Sequence, residues 1–176
     1  LWRGLALFRS FSGKGLPNLR LKWPNDLLVG RRKLAGILVE RGPWHQVGLN
    51  SLIIGIGLNV NGYSSDFPNE LKDKVTTLQV ATGIVFSQNE LLREILDNLQ
   101  LIIRELREES SLKLLEEWQA ASNIIGQLVG WEKDSVIQTG LVERLEQRGF
   151  PQIRMENGQL YTHISGDLIH YVREQS

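Results

Sequence analysis

Apolar residues recur with two different periods along the chain, and each period predicts one kind of secondary structure. Between residues 51 and 62 they fall on every second position, which is typical of a β-strand. Beyond Ser87 they recur every three or four positions, which predicts a long amphipathic helix. The chain is therefore expected to contain both strands and helices.

The sequence pattern before residue 42 predicts one helix and three short strands. Apolar residues at roughly helical spacing predict a helix over Trp2–Phe11. The expected strands are Leu19–Trp23, Asp26–Val29 and Lys33–Arg41. Pro24 stops the first strand, because proline cannot donate a ladder hydrogen bond. Gly30-Arg31-Arg32 predicts a hairpin turn between the other two strands.

The segment Ser51–Gly62, SLIIGIGLNVNG, predicts a strand with two contrasting faces. One face is aliphatic, and we expect it to lie in the core; it consists of Leu52, Ile54, Ile56, Leu58 and Val60. The other carries Gly55 and Gly57, followed by Asn59 and Asn61. Because glycine weakens a strand, two of them indicate a bulge or the close approach of another group. That group is either a packing helix or a ligand.

Two helices follow, and after them the sequence pattern changes. Ser87 and Glu90 fit a capping box at the start of the long helix, and a second helix is expected from Leu112 to Ala121. After Ser122 short alternating strands are expected at Gln127–Trp131, Ser135–Gly140, Ile153–Met155, Gln159–Ile164 and Leu168–Val172. Five short strands in so few residues predict a small β-barrel. We therefore expect two domains, 1–122 and 123–176.

Composition narrows the classes of function. The 176 residues include 20 Lys plus Arg and 20 Asp plus Glu, and this balance gives no reason to expect nucleic acid or an anionic membrane as partner. There is no cysteine, which excludes disulfides and a thiol nucleophile and is compatible with a reducing compartment. No apolar run approaches the roughly 20 residues that span a bilayer.

Several common catalytic and binding motifs are absent from this sequence. Gly55-Ile56-Gly57 lacks the third glycine of a dinucleotide-binding turn, and there is no P-loop or G-x-S-x-G motif. The histidines His45, His163 and His170 have no partner at metal-ligand spacing, so we expect them at the surface or at the barrel edge. The sequence therefore leaves any metal site unknown.

The stretch from Leu21 to Glu40, LKWPNDLLVGRRKLAGILVE, places charged residues among apolar ones. Lys22, Asp26 and Lys33 either form a salt bridge at a strand end or belong to a functional site. Two observations favour the second interpretation: proline constrains the W-P-N-D turn, and the glycine face lies nearby. A lysine beside open backbone is a natural site for a phosphate or a carboxylate.

Three motifs in this part of the chain resemble those of a known family. They are K-W-P-N-D at 22–26, K-L-A-G-I-L-V-E at 33–40 and G-I-G-L-N-V-N at 55–61, with a further similarity at Thr76–Gly83. Together they resemble the catalytic domain of biotin protein ligases, also called biotin–[acetyl-CoA-carboxylase] ligases. The resemblance implies an α+β fold, with a mixed sheet and helices related to class II aminoacyl-tRNA synthetases, followed by a small SH3-like β-barrel.

The resemblance also implies an activity. Enzymes of this family use ATP and biotin to form biotinyl-5′-AMP, from which a lysine of the biotin carboxyl carrier protein of acetyl-CoA carboxylase takes the biotinyl group. It further implies Mg²⁺ with ATP, a cytoplasmic location and a possible homodimer, and it implies no membrane and no nucleic-acid partner for this region.

Roles for individual residues follow from the same motifs. The resemblance implies that Lys33 lies against the biotin carboxylate and the α-phosphate, and that Asp26 orients or deprotonates the incoming lysine. Further expected binding residues are Gly36, Gly55 and Gly57, where the ligand lies on the backbone, Asn59 near the nucleotide, and Asn25, which shapes the turn.

The family also has features that this sequence lacks. A loop of the type G-R-G-R-x-G-R and the residues that contact the biotin ring lie upstream of these motifs in the family. Because the sequence also starts without Met, we expect it to begin within a longer protein. Two alternatives stay open: a lipoate–protein ligase of the same fold, and a non-catalytic module that docks a carrier protein.

Overall fold

A computed structural model describes residues 1–42, 51–108, 111–122, 124–133, 135–164, 166 and 168–171. Its helices are α1 (Trp2–Phe11), α2 (Leu78–Thr82), α3 (Gln88–Glu108) and α4 (Ser111–Ser122). Its strands are β1 (Leu19–Lys22), β2 (Asp26–Val29), β3 (Arg32–Arg41), β4 (Leu52–Leu58), β5 (Leu128–Lys133), β6 (Val136–Leu145), β7 (Pro151–Met155), β8 (Leu160–Thr162) and β9 (Ile169–Tyr171). None of the helices in these ranges is both long and apolar enough to cross a membrane.

The first sheet holds the strands that carry the three motifs. Its order is β1-β2-β3-β4, and each neighbouring pair is antiparallel. The expected mixed sheet is therefore an antiparallel sheet within the described residues, with a single parallel bridge between Lys33 and Val75. Tight connections explain the direction: β1, β2 and β3 follow one another through short turns, and such turns reverse the chain.

The core lies between this sheet and the helices. Side chains of α1, β2 and α4 meet there, among them the fully buried Leu5, Leu7 and Leu27 and the nearly fully buried Trp118. The long helix α3 packs on α1. These contacts fix β1, β2 and β3 from one side and leave the other side of the sheet open for a site.

The aliphatic face expected for β4 is only partly buried. Leu52 is 57% exposed and Ile54 is 37% exposed, whereas Ile56 and Leu58 are partly buried against the core. The prediction of a solid core face is therefore wrong for the first half of this strand. The physical reason is its position: β4 is the edge of the described sheet and is paired only with β3. A period of two identifies a strand but not what covers it.

The second sheet contains the five C-terminal strands in the order β8-β7-β6-β5-β9, with all neighbours antiparallel. The SH3-like barrel is not confirmed, because β8 and β9 lie at opposite edges and do not pair within the described residues. Short alternating strands predict an antiparallel sheet, but closure also requires a pairing between the two edges. The division into domains at residue 122 stays a prediction.

Side chains from both sheets meet around His163. This histidine is 3% exposed, so its expected place at the surface is wrong, although it directly follows the edge strand β8. Its Nε2 lies 3.1 Å from the carbonyl oxygen of Gly166, and its ring lies 5.3 Å from that of Trp23. Trp23 Nε1 donates to the carbonyl oxygen of Gly149 (3.0 Å), which ties the W-P-N-D turn to the second sheet. His45 and the side chain of His170 lie outside the described residues.

Arg9 joins three helices through ion pairs. Its guanidinium donates to both carboxylate oxygens of Glu105 on α3 (2.8 and 2.9 Å) and to both of Glu117 on α4 (2.8 and 2.5 Å). These bonds raise the pKa of Arg9, and the bond from Arg9 lowers the pKa of Glu105. One cation thus holds two carboxylates that would otherwise repel each other.

We expect Arg9→Met to lower the free energy of unfolding at pH 7 by about 1 kcal/mol, since the pairs are partly exposed. The loss should shrink below pH 4.5, the ordinary pKa of a glutamate. Because the pKa of Glu105 is lower in the folded state, its contribution is present above that pH and disappears as the pH falls. Urea unfolding at several pH values measures this, with Arg107→Met as an exposed control on α3. A loss that does not change with pH would contradict the prediction.

Candidate functional site

An open cavity of about 460 Å³ lies on the first sheet, where the turn before β2 meets β3 and β4. Its lining residues are Asn25, Lys33, Gly36, Ile37, Leu38, Gly55, Ile56 and Gly57. Five of these, Asn25, Lys33, Gly36, Gly55 and Gly57, are residues that the sequence singled out. Asp26 reaches the same place through its contact with Lys33, whereas Asn59 is not a lining residue.

A β-bulge in β3 turns Lys33 toward the cavity. Leu27 pairs with Ala35 but Leu28 pairs with Lys33, so Leu34 is one extra residue on β3. In a regular strand, residues 33 and 36 would point to opposite faces, because they are three positions apart. Because the bulge adds one residue between them, Lys33 and Gly36 instead point to the same face of the sheet. It also explains why the adjacent Leu34 and Ala35 are both buried.

Backbone hydrogen bonds from outside the sheet hold the bulge. The N–H of Lys33 donates to the carbonyl oxygen of Lys74 (2.8 Å), and the N–H of Thr76 donates to that of Lys33 (3.0 Å). The N–H of Asn59 donates to the carbonyl oxygen of Leu34 (3.0 Å). The segment before α2 therefore satisfies backbone groups that β4 does not reach.

Lys33 and Asp26 form an ion pair at the edge of the cavity. Lys33 Nζ lies 2.6 Å from Asp26 Oδ1, and the two side chains are 45% and 18% exposed. Asp26 Oδ1 is shielded from solvent and accepts no hydrogen bond within the described residues besides this contact. Because the ammonium of Lys33 has three N–H donors, it can stay paired with Asp26 and still donate hydrogen bonds to an anion in the cavity.

Asn25 clamps the turn onto β3. Its side-chain Nδ2 donates to the carbonyl oxygen of Ile37 (2.9 Å), and the N–H of Ile37 donates to the carbonyl oxygen of Asn25 (3.0 Å). These two bonds fix the backbone directly before Asp26. The side chain also lines the cavity, so Asn25 both shapes the turn and borders the space beside it.

The glycines of β4 are not explained by backbone shape or by packing. Neither Gly55 nor Gly57 has a positive φ, and β4 pairs with β3 without a register shift. A Cβ added at either position would have its nearest neighbour at 3.8 or 3.9 Å, an ordinary contact. Both residues are exposed, so no helix of the described chain covers them. The described residues therefore provide no packing partner for the glycine face.

Asn59 lies beyond the cavity and holds the neighbouring segment. Its Nδ2 donates to the carbonyl oxygen of Thr76 (3.1 Å), and its own carbonyl oxygen accepts from the N–H of Leu78 (3.0 Å). Within the described residues its contacts are those of a structural link between the end of β4 and the start of α2. It supports the bulge at Lys33 from outside the cavity.

The apolar wall of the cavity was missed by the sequence reasoning. Ile37, Leu38 and Ile56 line it, although the pattern had assigned such residues to strands without a site role. A signal was present for Leu38, which lies two positions after Gly36 and therefore on the same face. Its 60% exposure is unusual for a leucine within a central strand. The cavity thus combines one ammonium with glycine backbone and aliphatic side chains.

The described residues do not fit a resident Mg²⁺ site. Among them no group of three or more His, Asp or Glu side chains is placed to hold a metal ion. Asp26, the carboxylate beside the cavity, is paired with Lys33. No reaction step is therefore assigned to a metal ion held by these residues.

Comparisons with known proteins point to one family. Residues 4–59 match the model of the Biotin/lipoate A/B protein ligase family, and this range includes every residue that lines the cavity. The chain is 45% identical over 76 residues to the bifunctional ligase/repressor BirA of Bacillus spizizenii, covering 43% of this chain and 23% of that protein. It is 29% identical over 154 residues to the biotin–[acetyl-CoA-carboxylase] ligase of Mycobacterium tuberculosis, covering 85% and 52%.

Solved structures extend the similarity to nearly the whole chain. The apo structure of biotin protein ligase from Aquifex aeolicus aligns with a TM-score of 0.79 at 27% identity, covering 97% of this chain and 72% of that one. The complex of the same enzyme with biotin and ATP aligns with a TM-score of 0.78 at 27% identity, covering 96% and 68%. The curated relatives are matched over about half of their length or less.

Proposed function

The chain belongs to the biotin protein ligase family, and we propose that it serves the ATP-dependent attachment of biotin to a lysine of a biotin carboxyl carrier protein through biotinyl-5′-AMP. The observation that carries this proposal is the cavity itself. A fixed ammonium, Lys33, faces glycine backbone from two strands at the place where the family motifs meet. The complex of a similar enzyme with biotin and ATP supports the choice of substrates.

In the first step the biotin carboxylate attacks the α-phosphorus of ATP, and diphosphate leaves. Two anions must approach each other, and negative charge grows on the phosphoryl oxygens in the transition state. Lys33 reduces the repulsion and stabilises that charge, since its position is already set by the bulge and by Asp26. A preset cation needs no reorganisation during the reaction, which is why its contribution is large.

In the second step the lysine amine of the carrier attacks the carbonyl carbon of the mixed anhydride, and AMP leaves with the bond electrons. The incoming ammonium must first lose a proton. Asp26 is the carboxylate beside the cavity, and it orients this group or accepts the proton. Its largely buried position favours a directed contact over exchange with solvent.

The remaining lining residues serve binding. Gly55 and Gly57 let the adenylate lie against β4, and Leu38 and Ile56 contact its apolar part. A role for Asn59 at the nucleotide rests on the family motif, because its side chain is bound to Thr76. A cytoplasmic location and Mg²⁺ carried by ATP belong to the same proposal and rest on the family.

The test is biotin-dependent exchange of pyrophosphate into ATP by the full-length protein, followed by transfer to a carrier domain. We expect exchange with biotin, little exchange with lipoate, and a new amide on the carrier lysine. Exchange with lipoate but not with biotin would favour the lipoate ligase alternative. Binding of the carrier without exchange on either acid would favour a docking module. Either result would overturn the proposal.

A further inference from the structure

We propose that Gly36 is a positioning residue for Lys33: the absence of a side chain at Gly36 provides the space that the lysine ammonium occupies beside Asp26. This inference rests on the proposed function for its kinetic consequences. It differs from the role that the family motif implies for this glycine, which is to let the ligand lie on the backbone. The two roles predict different results for the same substitution.

The space beside Gly36 is already filled by Lys33. A Cβ at this position would lie 3.0 Å from both Cε and Nζ of Lys33 and 3.5 Å from Oδ1 of Asp26. The first two distances are shorter than a normal contact between these atoms. A side chain at residue 36 therefore requires the end of Lys33 to shift by a few tenths of an ångström, which changes its position relative to Asp26.

The backbone does not require glycine at this position. Gly36 has no positive φ, and it pairs with Asp26 on one side and Gly57 on the other as an ordinary strand residue. The atoms that an added Cβ meets first belong to the flexible end of a lysine. Alanine can therefore be accepted without unfolding the strand, and it also restricts the unfolded chain. Its cost falls on the position of the ammonium.

The other two cavity glycines provide the contrast. At Gly57 an added Cβ has its nearest neighbour, the carbonyl oxygen of Gly36, at 3.9 Å, and at Gly55 it has Leu38 Cβ at 3.8 Å. A methyl group at either position enters the cavity but touches neither Lys33 nor Asp26 closely. Gly57→Ala therefore measures the effect of filling the cavity, whereas Gly36→Ala adds the displacement of Lys33.

The experiment compares Gly36→Ala, Gly57→Ala, Lys33→Ala and the double variant Gly36→Ala/Lys33→Ala in the full-length protein. For Gly36→Ala we expect kcat of biotin-dependent pyrophosphate exchange to fall about 10- to 100-fold, with Tm within about 3 °C of wild type. For Gly57→Ala we expect the main change in KM. On the Lys33→Ala background, Gly36→Ala should have no further effect on kcat, because the displaced atoms are absent.

Equal effects of Gly36→Ala and Gly57→Ala on kcat, or an undiminished effect of Gly36→Ala on the Lys33→Ala background, would overturn the inference. An NMR measurement separates this outcome from a failure of the proposed function. In protein labelled with ¹³C at lysine Cε, the Lys33 signal is assigned by its loss in Lys33→Ala. It should move in Gly36→Ala and stay in place in Gly57→Ala, whether or not the protein uses biotin. An unmoved signal in Gly36→Ala would also overturn the inference.

Discussion

Lys33→Ala is expected to slow adenylate formation by about 100- to 1000-fold, a loss on the order of 3–4 kcal/mol of transition-state stabilisation. Lys33 supplies the one ammonium among the residues that line the described cavity, and the bulge directs it there. Its loss removes the charge and also leaves Asp26 without its partner. Biotin-dependent pyrophosphate exchange measures the effect directly.

Lys22→Ala is the matched control for this substitution. Lys22 lies opposite Asp26 on β1, one strand away, but it does not line the cavity. Lys22→Ala removes the same charge from the same sheet, so the rate of pyrophosphate exchange should stay close to that of the wild type. If Lys33→Ala also stayed within about twofold of wild type, Lys33 would be a salt-bridge residue at a strand end and no more.

Asp26→Asn is expected to affect the second step most. The amide keeps the size of the carboxylate but cannot accept a proton, so transfer from preformed biotinyl-5′-AMP to a carrier domain should slow by about 100-fold. Adenylate should still form, with a smaller loss, because Lys33 keeps its place in the bulge but loses its ionic partner. The two steps are separated by single-turnover transfer from isolated adenylate.

Asp97→Asn on the exposed side of α3 provides the same chemical change far from the cavity and should leave both steps unaltered. Equal losses in adenylation and transfer for Asp26→Asn would argue against a role in proton transfer. Asp26 would then act by holding Lys33, and the group that receives the proton would have to be sought elsewhere.

The elements that local patterns define were predicted well from sequence. The helix α1 and the strand β2 have the expected bounds, and α4 extends the expected helix by one residue at each end. The hydroxyl oxygen of Ser87 also accepts the expected capping bond from the N–H of Glu90 (3.4 Å) at the start of α3. Spacing, caps and turn residues act within a few positions, so the sequence shows them directly.

Features that depend on distant pairing were not predicted. The bulge at Leu34 follows from how β2 and β3 pair, and K-L-A-G reads as an ordinary strand segment without that pairing. The exposed half of β4 and the open second sheet are likewise set by neighbours or by their absence within the described residues. Five of the expected site residues nevertheless line one cavity, because motifs place side chains on adjacent strands even when the register is unknown.

The extra residue in β3 makes chain length a property of the site. Removing one residue between Lys33 and Gly36 would leave them two positions apart, so a regular strand would still place both on one face. The bulge would be lost, and the backbone hydrogen bonds of Lys33 with Lys74 and Thr76 would lose their register. A deletion in this segment therefore removes the support of the lysine, and it belongs with the loss of Lys33 itself when variants of the gene are ranked by expected damage. A comparison of sequences that counts identities but tolerates a gap there would overlook the change.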